Sequence, residues 1–156
     1  MPDYSKLIAD IEAHTGGRFR RAETEALDQL RSFNLPASVV SFFRDFEPTE
    51  CIEGQVRLWP ISEMLRENRD YVPGAYVSPH GYIVFATTIC GDTYCFDLNV
   101  IDENGEPRIV LISHDEDFEG MSSDQITGLA KPIAPNLAAF LEMYLFDKID
   151  EDCIYS

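Results

Sequence analysis

What the chain has little of narrows its class first. Its 156 residues include no apolar run near the roughly 20 needed to span a bilayer. The opening MPDYSKLIADIEAH lacks the basic-then-apolar order of a secretory leader. A soluble, cytoplasmic protein is therefore expected. Its four cysteines, Cys51, Cys90, Cys95 and Cys153, form no CxxC pair and no Cys/His cluster at zinc spacing. Reduced, structural thiols follow from that. HExxH, GxSxG and phosphate-cradling glycine loops are all missing. The three histidines, His14, His80 and His114, leave few bases for a nucleophile. Ser113-His114-Asp115 forms no triad within itself, because neighbours along an extended chain point to opposite faces. The acidic run Asp115, Glu116, Asp117, Glu119 lacks the central glycine and closing glutamate of an EF-hand. No enzyme, no metal and no cofactor are expected.

Positive charge is also scarce, with 12 Lys and Arg against 28 Asp and Glu and a formal net charge of −16. That balance works against binding nucleic acid or an anionic membrane and attracts a basic partner. The one basic cluster, Arg18, Arg20 and Arg21, reads as local counter-charge.

What is present is enough for a core: 45% of residues are hydrophobic and 12% aromatic, in a chain of single-domain length. Apolar spacing predicts helices over residues 4–14, 22–33, 36–46 and 61–69. A last helix starts at Pro135 and carries Leu137, Phe140, Leu141, Tyr144 and Leu145 on one face. Residues 82–98 read as a hairpin turning at Gly91-Asp92, a type II′ pair in which Gly91 takes the positive φ. That turn pairs Cys90 with Thr93 and Thr87 with Phe96. It places Ile83, Phe85, Thr87, Ile89, Tyr94, Phe96 and Leu98 on a bulky core face. The opposite face, from Val84 to Cys95 and Asp97, is small and mildly polar. Short strands are expected over residues 55–59 and, as an edge, at Ala75-Tyr76-Val77. Asn104-Gly105 turns the chain into a strand over residues 109–112, completing a meander. Residues 118–133 read as loop around a short helix at 123–129.

The whole is an α+β single domain over residues 1–156, with its core at about 22–147 and an acidic tail at 148–156. A mainly antiparallel sheet, central hairpin and meander, is packed by N-terminal helices and a C-terminal helix.

Several residues, taken in order, resemble the SUKH superfamily. They are Leu35-Pro36 opening a helix with Phe42 and Phe43; Trp59 before a short helix ending near Asn68; Ile83-Val84-Phe85; the run from Gly91 to Asp97; His114-Asp115; and Phe140 with Leu141. The resemblance covers roughly residues 27–145. It implies a non-enzymatic role: in bacteria, an immunity protein that binds and neutralises a cognate secreted toxin, often a nuclease. Fungal relatives imply the alternative of a regulatory scaffold. A small-ligand or peptide binder with a pocket beside Trp59 and Tyr94 is a third possibility.

The density of acidic residues near the sheet ends nominates Glu47, Glu50, Glu53, Asp92, Asp115, Glu116 and Asp117 as contacts to a basic toxin partner.

Overall fold

Helical apolar spacing builds the first half of the chain. In the computed structural model, which describes residues 3–54, 56–146 and 148–149, α1 (Ser5–Thr15) buries Ile8 and Ile11 and ends at Gly16. After β1 (Phe19–Arg20) come α2 (Thr24–Arg31) and α3 (Ala37–Asp45), the latter burying Val39, Val40, Phe42 and Phe43. Next come β2 (Glu47–Pro48), β3 (Arg57–Leu58) and α4 (Ile61–Arg69). Gln55, where a short strand was expected to begin, lies outside the described residues, as do residues 150–156 with Cys153.

Ala75-Tyr76-Val77 is a helical turn, not an edge strand. It forms α5 (Gly74–Val77), continued by a 3-10 turn over Ser78–His80. The cause is close packing: a Cβ at Gly74 would lie 1.9 Å from the Glu67 carbonyl oxygen, so only glycine lets this segment rest on α4.

The sheet follows as β4 (Tyr82–Thr87), β5 (Thr93–Ile101) and β6 (Pro107–Ile112), then α6 (Ser123–Leu129), β7 (Lys131–Ala134) and α7 (Leu137–Leu145). Its order is β3-β4-β5-β6-β7, antiparallel throughout, beside a separate β1-β2 pair. The meander and the short α6 agree with the sequence reading; residues 131–133, read as loop, instead belong to β7, which pairs with β6 and extends the meander. Ser122 and Gln125 close a capping box at the start of α6.

The hairpin register differs from the expected one. Thr87 faces Thr93, and the loop has three residues, Ile89-Cys90-Gly91, closed by Gly91 N–H to Thr88 O and Thr88 N–H to Asp92 O. Gly91 does hold a positive φ of 96°, but as the last loop residue, where a three-residue loop needs it. The shift from Thr87–Phe96 to Thr87–Thr93 is odd and by itself would separate Ile83 from Phe96. A bulge between Val84 and Ala86 restores the parity, so Ile83, Phe85, Tyr94 and Phe96 still share the core face. Ile89 leaves that face and is 61% exposed.

The core face packs against the helices before it and against α7. Phe85 stacks on Phe96 at 4.3 Å, and Phe140 meets both Phe85 and Tyr94. The opposite face keeps its small and polar members, Thr93 and Asp97, but is packed as well. Tyr82, Val84, Cys95, Val110 and Ile112 form a second buried layer with Val77, Phe118 and Ile126. Burial pushes the Cys95 thiol up to about 12, so it stays protonated at neutral pH.

Candidate functional site

Register gathers some of the candidate residues at one end of the sheet. Arg57 faces Thr87, Thr87 faces Thr93, and Thr93 faces Ile112, so the start of β3, the β4–β5 loop and the end of β6 share that end. Glu53, ahead of β3, and Asp115, Glu116 and Asp117, after β6, flank it on opposite sides. Glu50, Glu53, Asp115, Glu116 and Asp117 are all exposed.

Glu47 and Asp92 are not on this surface. Glu47 is 3% exposed; its Oε1 accepts from Arg20 Nε at 3.2 Å and its Oε2 from Ile61 N–H at 2.8 Å. The carboxylate thus serves the positive N-terminal end of α4, where the first N–H groups lack helical partners. Asp92 is buried too, with Oδ1 accepting the His114 backbone N–H at 3.1 Å and lying 2.6 Å from His114 Nδ1. His114 Nε2 sits 3.1 Å from Asp115 Oδ1. Asp92 therefore pins the β4–β5 loop to the end of β6.

Tyr94 is fully buried against Phe140, so its ring offers no surface to the ligand pocket expected beside it. The void bordered by Phe43, Leu58, Trp59 and Phe85 holds about 20 Å³, little more than one water.

An opening does lie on the other side of Trp59. A cleft runs between the C-terminal end of α4 and the β4–β5 loop, bordered by Arg57, Trp59, Glu67, Tyr71, Val72 and Ile89. Trp59 is fixed by donating from Nε1 to Thr87 Oγ1 at 2.9 Å. Val72 is 54% and Tyr71 41% exposed, which with Ile89 makes an apolar rim. Within the cleft, burial first and Glu63 second raise the Glu67 carboxyl above its ordinary value. Sequence reading missed Glu67, Tyr71 and Val72 because α4 and the hairpin loop are distant in the chain. The signal it held was Tyr71-Val72, two apolar residues in a polar turn.

Among the described residues no group of three or more His, Cys, Asp or Glu could hold a metal ion, and no helix is long and apolar enough to cross a membrane. Comparison with known proteins matches residues 20–143 to the SMI1 / KNR4 family (SUKH-1). No curated protein matches the chain.

Proposed function

Because the chain belongs to the SMI1 / KNR4 family (SUKH-1), we propose that it is a non-enzymatic, cytoplasmic binding protein that neutralises a cognate secreted toxin by direct contact. The observation that carries this reading is the family match together with the exposed acidic rim at one end of the sheet. In this reading Glu50, Glu53, Asp115, Glu116 and Asp117 meet a basic toxin surface. A toxin that acts on nucleic acid needs such a surface for its own substrate. An acidic rim would speed the encounter and compete for that surface.

Co-expression with the product of the immediately upstream gene tests it. The expected result is a stable complex and restored growth; no complex and no rescue would overturn neutralisation and leave the scaffold reading. Replacing the five exposed acids by their amides should slow association about tenfold at low salt, with the difference shrinking as salt screens it. Association kinetics that ignore the five changes would remove the rim from the contact.

A further inference from the structure

The cleft beside Trp59 gathers exposed apolar side chains. Among the described residues seven large hydrophobic side chains stay exposed, and three of them, Tyr71, Val72 and Ile89, border this one cleft. The other four are dispersed over α5, the far end of β5 and the residue after α7. Ile89 contributes little to the fold where it stands, because the three-residue loop leaves it 61% exposed. A cluster of this kind marks a contact surface. Cations of this chain already take the charged positions here: Arg57 lines the cleft and pairs with Glu53 at 3.4 Å, and the Arg66 guanidinium covers one face of the Tyr71 ring at 5.8 Å. What the opening offers a partner is therefore apolar contact. Its volume of about 460 Å³ has room for a large side chain.

Both margins of this patch are acidic. On the β3 side, the pairing with Arg57 holds Glu53 at the lip of the cleft. On the β6 side, Gly91 lines the cleft, and the His114 ring lies against it, 3.7 Å from where a Cβ would stand. That ring holds Asp115 at 3.1 Å, with Glu116 and Asp117 exposed next along the chain. We propose that Tyr71, Val72 and Ile89 form the apolar centre of a protein-binding surface with Glu53 and the acids from Asp115 to Asp117 as its margins. The partner it fits is a basic protein that presents an exposed apolar side chain among lysines or arginines. The proposal rests on the reading that this chain binds a basic protein, and it adds a centre to the acidic rim. Charge complementarity selects that partner over a second copy, because two copies meeting here would set acidic margin against acidic margin in chains of net charge −16. Apolar anchors at the centre with charge around them is how interfaces concentrate their energy.

Trp59 is the only tryptophan and lines the cleft, so its fluorescence reports the surface directly. The probe is the peptide acetyl-KKLFLKK amide, titrated at low salt. Two controls divide its chemistry: acetyl-KKSSSKK amide keeps the charge without the apolar centre, and acetyl-EELFLEE amide keeps the centre and reverses the charge. The first peptide should shift Trp59 emission, and each control should bind about tenfold more weakly or worse. A Val72→Ser, Ile89→Ser chain should bind the first peptide about tenfold more weakly with an unchanged circular dichroism spectrum, because both side chains are more than half exposed. Equal binding of the serine peptide, or full binding by the doubly substituted chain, overturns the apolar centre; equal binding of the acidic peptide overturns the basic partner. Absence of any binding overturns the surface outright. So does a solution dimer that the double substitution dissociates, which would give the patch to a second copy. None of these results depends on the upstream gene product, so failure of this surface and failure of toxin neutralisation are separately visible.

Discussion

Glu47 holds the first N–H of α4 and the Arg20 guanidinium at the same time, and the two partners differ in what they would lose without it. Arg20 is 52% exposed and would turn to water at little cost. The Ile61 N–H is buried and would be stranded. Glu47→Ala should therefore destabilise by about 2 kcal/mol, the range for one unsatisfied buried donor rather than for a broken buried ion pair. Glu53→Ala and Glu116→Ala should stay within about 0.5 kcal/mol, because both acids are exposed. Urea denaturation of the three variants checks the contrast; equal losses would mean that Glu47 is no more structural than its neighbours. This difference was not legible in the sequence. Glu47, Glu50 and Glu53 share one acidic stretch, and only the pairing of Glu47-Pro48 with Phe19-Arg20 turns the first of them inward.

Two hairpin loops share one design. Thr88 to Asp92 and Asp102 to Glu106 each enclose three residues, each ends its loop in a glycine of positive φ, and each closes with the same pair of backbone bonds. In both, the first side chain also receives backbone N–H groups: Thr88 Oγ1 from Asp92, and Asp102 Oδ1 from Asn104 and Glu106. The turns were legible because Gly-Asp and Asn-Gly are strong signals; their length was not, since two- and three-residue loops both place glycine at a positive φ. Gly91→Ala and Gly105→Ala should each cost about 1–2 kcal/mol, the strain of a left-handed side-chain-bearing residue. Space is not the issue, as a Cβ at Gly105 would meet nothing within 4 Å. Gly128 gives the opposite sign. It lies inside α6 with open space around it, so Gly128→Ala should stabilise by about 0.5–1 kcal/mol. Thermal melts of the three variants decide it, and a destabilised Gly128→Ala would contradict the account. The missed α5 belongs at this scale too: Val and Tyr between two prolines read as strand, while the deciding contact, Gly74 on Glu67, is tertiary.

At the scale of the whole molecule, the α+β order, the meander and the helix faces were legible because periodic apolar residues dictate them locally. The cleft was not, because α4 and the β4–β5 loop meet only after the sheet has formed. Charge, visible in composition from the start, owes part of its pH dependence to burial. Glu67 and Glu106 are both raised, first by desolvation and then by a neighbouring carboxylate, Glu63 and Asp102 respectively. For each, the folded state holds its proton more tightly than the unfolded chain does. The folded state therefore gains stability as pH falls through the raised values, the gain is complete below the ordinary glutamate value of 4.5, and it is lost again as pH rises. Asp45 is lowered by Arg44 and acts in the opposite direction, but the pair is exposed and screened, so its weight is small. The self-repulsion of a net charge of −16 also eases as acids are protonated. The urea midpoint should therefore rise between about pH 7.5 and about pH 5, and the Glu67→Gln, Glu106→Gln chain should be more stable than the parent at the upper pH and show a flatter profile. A parent midpoint that falls over this range would mean that paired carboxylates outweigh the two desolvated ones. A rise that survives both substitutions would move its origin from these two side chains to the surface charge.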